Sequence, residues 1–536
     1  MENAQKALAN CLPEDKKHHH LTPEIIRECY NAGPSHIQTA LQPYGYFHTQ
    51  VQSTGLTRSG QQWSAHYTIT PGHRLHITQI TLRLEGPGKE DPALLTQLAT
   101  FPLKQGDVFN AIDYENARDL LLQVANQNGW LEAAFSQKEV RINLTDNTAA
   151  LLLTLQTGHQ FYFGAVDFSP NPFNPAFLQR FVLFHPDEPF SSEKLLKLQE
   201  NLGSSGYFQE VIVTPNTEKA VHYKVPVHIQ LTPPRGKRYL MGVGYGTFTG
   251  PRATLGVDYR RVGDSGQHFT LQARVSSVLK GLSAKYFIPG KNPLTDQYIL
   301  GAEVQKFVPD NGHSLSENLS ISRVMTFEEW QHTLSLHFLN ERYQVDDTPS
   351  ESSRLFYPDY ALGWVSADNM LNPRSAKSVH LGIRGASANI LSFTNFIQGD
   401  IKAKQIFSPT EASRIILRGG FGYTVVNDLS RLPLTLRYFA GGMDSVRGYP
   451  YSSIGPGRYL ETAGVEVQHR LIGDLSGAIF YDLGTATDHL NDNLMKGAGI
   501  GVIYHSVIGS VRLYVARALS KPGDPFRIEF SLGPDF

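Results

Sequence analysis

The chain reads as α+β repeats of the order β-α-α-β-β followed by a transmembrane antiparallel β-barrel of about 16 strands. Three observations predict this. A helix–glycine–aromatic–strand pattern occurs three times in the first 235 residues. Beyond Pro233-Pro234 the texture changes to runs of about 9 to 13 residues that alternate in polarity, separated by turn residues. Only 18% of residues are charged, while Gly (47), Tyr (24) and Phe (29) are plentiful. That mixture suits a protein whose outer surface is partly apolar without being helical.

The repeats are marked by Gly45, Gly129 and Gly206. In Ile37 to Val51, Leu121 to Phe135 and Leu198 to Val213, an apolar helical pattern meets the glycine, then two bulky residues and a strand-like run. Glycine just past a helix takes the left-handed cap conformation, and the bulky pair fastens the outgoing strand to the core. Further helices are expected at Asp91 to Thr100 and Pro175 to Leu183. Asn110 and Ser191 or Ser192 can cap the helices that follow, with Asp113 or Glu193 in the first turn. Strands His76 to Leu84 and Phe161 to Phe168 open these units, and Thr148 to Gln156 and Tyr223 to Leu231 close them. The boundaries drawn on this basis are 1–71, 72–157, 158–235 and, for the barrel, 236–536. The first copy lacks an opening strand, which suggests a truncated or mis-started amino terminus. A three-stranded mixed sheet also offers edges that can accept another chain's strand.

A net charge of −1 with no basic stripe argues against nucleic-acid binding. No apolar run reaches the roughly 18 residues of a membrane-spanning helix. Cys11 and Cys29 are too few to form a disulfide framework, and His18-His19-His20 lies in a polar segment that reads as solvated. No nucleophile, base and orienter stand at a recognisable spacing, and no phosphate-binding glycine loop precedes a lysine. The expectation is therefore a protein that is not an enzyme and uses no metal or cofactor.

Sixteen alternating runs are expected between Lys237–Phe248 and Phe526–Phe536, among them Asn318–Thr326. In the last run Phe526, Ile528, Phe530, Leu532 and Phe536 share one face, with Arg527, Glu529 and Ser531 on the other. An even count returns the carboxyl terminus to the side of the repeats, so the short Ile472-Gly473-Asp474 link lies on that side. The long Asn427 to Gly457 connection lies on the other side. A lumen of this size admits that connection.

Within it stands Gly441-Gly442-Met443-Asp444-Ser445-Val446-Arg447-Gly448-Tyr449. A glycine-flanked arginine can fold back tightly and offer a carboxylate two parallel donors. Strand parity supplies candidates. Ile479, Tyr481 and Leu483 share the outward face, so Phe480, Asp482 and Gly484 point inward; Val465 and Val467 face out, so Glu466 faces in. Strand arginines such as Arg512 or Arg527 are alternative partners for these carboxylates.

Val446-Arg447-Gly448-Tyr449, Ile479-Phe480-Tyr481-Asp482-Leu483-Gly484 and the closing Gly497-Ala498-Gly499-Ile500-Gly501-Val502 resemble motifs of one superfamily. It comprises outer-membrane insertases and secretion transporters that carry POTRA domains, the periplasmic modules the amino-terminal repeats resemble. Three such repeats and about 16 strands are most similar to the outer-membrane subunit of the translocation and assembly module. The resemblance implies that Arg447 contacts Asp482 in the lumen, with Glu466 at a further lumenal position. It implies a Gram-negative outer-membrane protein, POTRA domains in the periplasm, that inserts or secretes clients such as autotransporters. Its implied partners are an inner-membrane-anchored subunit of the module, client outer-membrane proteins and the lipid bilayer. The alternatives are a two-partner secretion transporter of one cognate exoprotein and the general barrel-assembly subunit. The barrel is expected to close by pairing its first and last runs. Tyr239, Met241 and Val243 would lie on one side of the seam, and Phe530, Leu532, Gly533, Pro534 and Phe536 on the other. Pro534 removes a ladder bond and makes that seam weak.

Overall fold

The computed structural model describes residues 22–60, 62–247, 250–345, 348–490, 492–506, 509–523 and 525–533, with Gln5 and Leu8. Cys11, His18 to His20, Pro534 and Phe536, on which sequence readings rest, lie outside the described residues. The chain forms two compact units, one of Met1–Ser169, Val182–Glu200 and Val211–Leu231, the other of Pro170–Phe181, Asn201–Glu210 and Thr232–Phe536.

Among the described residues, the first repeat is helix α1 (Pro23–Leu41) and a hairpin of β1 (Gln50–Ser59) and β2 (Gln62–Thr70). The second comprises β3 (His76–Glu85), α2 (Pro92–Ala99), α3 (Ala111–Gln127), β4 (Ala134–Asn143) and β5 (Thr148–Gln156). β5 is central, pairing parallel with β3 and antiparallel with β4. Its Leu151, Leu153 and Leu155 are buried with Leu94, Leu121 and Trp130 from the helical layer. Asp91 ties this layer together. One carboxylate oxygen accepts from the Ala93 and Leu94 amides at the start of α2, and the other accepts Trp130 Nε1 at 2.8 Å. The third repeat has β6 (Tyr162–Phe168), α4 (Pro175–Leu178), α5 (Ser192–Ser204), β7 (Glu210–Pro215) and β8 (Lys224–Thr232), with strand order β6-β8-β7. All three marker glycines are left-handed, with φ of +85°, +89° and +76° at Gly45, Gly129 and Gly206.

The sixteen long strands that follow alternate for a physical reason: one face meets lipid and the other a polar interior. They begin with β9 (Lys237–Gly246), β10 (Gly250–Val262), β11 (Gln267–Val275), β12 (Leu279–Pro289), β13 (Asp296–Phe307) and β14 (Gly312–Phe327). Next come β15 (Trp330–Val345), β16 (Glu351–Ala367), β17 (Ala376–Ala386), β18 (Phe396–Phe407) and β19 (Ser413–Val426). After a short internal hairpin, β20 (Tyr438–Ala440) with β21 (Ile454–Gly457), come β22 (Tyr459–Ile472) and β23 (Leu475–Thr487). The last are β24 (Met495–Ser506), β25 (Gly509–Ala518) and β26 (Phe526–Gly533). β14 starts six residues before its expected Asn318. Its first residues lack an apolar face, but the register sets Ser314 beside Tyr343 and Ser316 beside Glu341, both buried on the lumen side.

One expectation is corrected. All sixteen long strands belong to one antiparallel sheet, but it runs from β26 to β9 without a ladder joining those two ends among the described residues. Side chains bridge them instead: Phe530 N–H donates to Thr247 Oγ1 at 2.8 Å, and Arg252 Nη2 donates to the Leu532 carbonyl at 3.1 Å. Glycines at 242, 244 and 246 in β9 supply no side chain to pack across the gap. The barrel is nearly closed rather than sealed.

Candidate functional site

The connection from β19 to β22 folds into the lumen and is held at two places. Its first half rests on the wall formed by β15, β16 and β18. Leu432 and Leu436 pack with Leu339, Leu355 and Phe396 there, the Leu436 carbonyl accepts from Gln398 Nε2 at 2.8 Å, and Glu341 accepts from the Thr435 amide at 3.1 Å. Its second half, which carries the arginine, rests on β22 to β25.

Here the lumen wall is carved by missing side chains. A Cβ on Gly484 would stand 2.8 Å from Val446 Cγ2, and one on Gly497 would stand 2.0 Å from the Arg447 carbonyl oxygen. Val446 and Tyr449 fill that recess against Leu460, Ala486 and Ala518. Gly448 has φ +93°, and a Cβ there would meet the Arg517 carbonyl carbon at 2.9 Å, so only glycine makes this turn against β25. Its amide donates to Glu529 Oε1 at 2.6 Å.

This turn aims Arg447, which is 1% exposed, at Asp482, which is fully buried. Nε donates to Asp482 Oδ2 at 2.7 Å and Nη2 to Oδ1 at 3.0 Å, a bidentate fork, while the Arg447 amide adds a third bond to Oδ2 at 3.2 Å. Nη1 donates to Glu466 Oε2. The guanidinium carbon lies 3.6 Å from the Phe480 ring centroid and 4.9 Å from that of Tyr514, so the cation is sandwiched as well as paired. The Tyr514 hydroxyl donates to Glu466 Oε1 at 2.8 Å, and Gln468 Nε2 donates to the same oxygen.

Thus Val446, Arg447, Gly448, Tyr449, Asp482, Glu466, Phe480 and Gly484 converge on one site. Sequence reasoning missed Arg418, which donates to Asp482 Oδ1 at 2.8 Å and to the Met443 carbonyl at 2.5 Å. It also passed over Tyr514, Gln468 and Glu529 as partners. The same parity that finds Asp482 puts all four inward, but parity does not reveal which of many inward polar residues the loop touches. The site holds a charge and a backbone in place; among the described residues no group of His, Cys, Asp and Glu is arranged to hold a metal ion.

At the seam, Tyr239, Met241 and Val243 project outward from β9, Val243 being 90% exposed. Phe530 and Leu532 are half-buried, and Gly533 ends β26. Gly45, Gly129 and Gly206 are cap positions far from either feature in sequence.

Family models match the chain over most of its length: the Omp85 superfamily domain over residues 263–536, POTRA domain TamA domain 1 over residues 2–71, and a surface antigen variable number repeat over residues 161–229. The chain is similar to the outer membrane protein assembly factor BamA of Nitratidesulfovibrio vulgaris, at 23% identity over 65% of this chain and 48% of that protein. It is also similar to the same-named protein of Neisseria meningitidis, at 20% identity over 78% of this chain and 56% of the relative. It therefore spans about half the length of these relatives. Its fold matches BamA from Haemophilus ducreyi lacking POTRA domains 1–3, with a TM-score of 0.73 and 16% identity over 86% of this chain and 99% of that one. A membrane barrel preceded by POTRA domains places the chain in a Gram-negative outer membrane, with those domains in the periplasm. By its barrel and the domain model covering about half its residues, the chain belongs to the Omp85 superfamily.

Proposed function

We propose that this chain assembles or translocates outer-membrane proteins by opening its barrel sideways between β9 and β26, so that a client strand pairs with the exposed edge of β9. The supporting observation is the absence of a β9–β26 ladder among the described residues, where two side-chain bonds stand in for a row of backbone bonds. An unpaired edge is a template for strand addition. No covalent step or cofactor is invoked. The Arg447–Asp482–Glu466 network acts as a latch fixing the loop in the lumen while the seam works. Autotransporters are the proposed clients, and an inner-membrane-anchored subunit of the translocation and assembly module is the proposed partner of the POTRA edges; the TamA-type first domain supports this assignment.

A second reading, the general barrel-assembly subunit, is favoured by the names of the relatives. Depletion of the chain separates the two: loss of all outer-membrane barrels supports the second reading, loss of a client subset the first. The seam itself is tested with the Thr247→Cys/Phe530→Cys double variant. Assembly of a client into liposomes should stop when the pair is oxidised and return on reduction. Undiminished assembly by the oxidised form overturns the lateral opening.

A further inference from the structure

The lipid-facing wall carries a second feature, on β12 to β15, remote from both seam and latch. The register sets Lys280 directly opposite Lys306, Lys306 opposite Leu315, and Leu315 opposite Arg342. These residues share the outward parity of Leu282, Val304, Leu319 and Phe338 and lie at the extracellular ends of their strands. They form a row above the apolar band. All three cations are exposed, and none has a carboxylate partner among the described residues. The contrast on the same wall is Arg323, at the periplasmic end, whose guanidinium is taken up by both oxygens of Asp296 at 3.0 and 3.1 Å. Two lysines directly opposite on neighbouring strands repel. The arrangement becomes favourable when an anion lies between them.

Directly beneath the row is a groove of about 360 Å³ in the outer wall. Ala284 and Ala302 form its floor, and Leu282, Val304, Leu319 and Phe338 form its sides. At its upper rim Glu317 accepts from Asn340 Nδ2 at 3.1 Å and is ion-paired with none of the three cations, so the surface keeps an excess of positive charge. An apolar trough opening downward into the bilayer, topped by unpaired cations at headgroup level, has the polarity of an anionic lipid: acyl chain below, charge above.

We propose that this surface binds a phosphorylated, multiply acylated glycolipid of the outer leaflet, with a phosphate between Lys280, Lys306 and Arg342 and one acyl chain in the Ala284–Ala302 groove. The site fixes the β12 to β15 wall to the surrounding leaflet.

The test uses the full chain refolded in detergent micelles, with native mass spectrometry reading the bound lipid. The probes are bisphosphorylated lipid A, the same lipid without phosphates, and inorganic phosphate. The bisphosphorylated form is expected to bind at least about tenfold more tightly than the dephosphorylated one. The K280Q/K306Q/R342Q triple variant should weaken it on the order of a hundredfold. Ala302→Leu, which keeps every charge but fills the groove, should weaken it about tenfold. All the substituted side chains face outward, and a heat-modifiable gel band verifies that each variant is folded. Equal affinity for the two lipids, unchanged binding by the triple variant, unchanged binding by Ala302→Leu, or displacement of the lipid by millimolar inorganic phosphate would each overturn the proposal.

Discussion

The latch carboxylate Asp482 lies three strands from the seam strand β26, and the two junctions are built on opposite terms. At the latch a single buried guanidinium is met by two carboxylates and two aromatic faces. At the seam, among the described residues, the hydrogen bonds that cross it rest on one hydroxyl and one guanidinium. The strength of a junction thus does not follow its length. A desolvated charge is expensive to leave alone, so a short contact can be made nearly obligatory. A backbone edge beside lipid or another edge can exchange partners without leaving any charge stranded. The barrel is therefore held firmly where the loop docks and loosely where its two end strands meet.

Breaking the latch should have the largest effect. Arg447→Ala leaves Glu466 without a cation and Asp482 with Arg418 alone, at a cost of about 3–5 kcal/mol. The loop should become cleavable by added protease while the heat-modifiable barrel persists. Arg447→Lys should recover little, because a lysine ammonium cannot reproduce the fork on Asp482; protection equal to wild type would refute the bidentate role. Next comes the recess. Gly497→Ala forces a methyl into the Arg447 carbonyl, costing about 1–3 kcal/mol in the overpacking range, and should raise loop cleavage to an intermediate level.

The seam sharpens the contrast from the other side. Thr247→Ala removes one neutral hydrogen bond, worth about 0.5–1.5 kcal/mol, and should accelerate client assembly or leave it unchanged, never abolish it. Measured rates that fall as far as those of Arg447→Ala would erase the distinction between the two junctions. The smallest effect concerns an exposed pair in the amino-terminal unit. Hydrogen bonds from the side chain and amide of His159 hold the Glu132 carboxyl below its usual range. Because the folded value is lowered, this contact is intact above the ordinary carboxylate pKa of about 4.3 and is lost as pH falls through the depressed one. Carbon-detected NMR should show Glu132 titrating at unusually low pH, with no measurable change in Tm for Glu132→Gln.

Much of this architecture was legible because barrels and repeats write themselves in short periods. Alternation along β23 suffices to turn Phe480, Asp482 and Gly484 inward, and the glycine–aromatic pairs locate the helix ends. What the sequence hid is longer in range. Parity does not tell that Arg418 reaches Asp482 or that Glu529 meets the Gly448 amide, since both depend on how a loop crosses the lumen. The β20–β21 hairpin was invisible for the same reason: its four-residue strand Ile-Gly-Pro-Gly has no strand propensity and is held by the loop around it. The open seam was obscured by a general rule that barrels close.

Order of synthesis adds a consequence. The carboxylates that hold the turn all follow it: Glu466 comes 19 residues after Arg447, Asp482 35 after it, and Glu529 81 after the adjoining Gly448. A chain emerging amino end first presents the arginine turn before the β22 to β26 part of its docking wall exists. The apolar anchors Val446 and Tyr449 wait with it, an aggregation hazard, whereas the guanidinium between them is at ease in water. Its burial becomes favourable only when the carboxyl-terminal strands arrive, so a docked Arg447 certifies a completed barrel.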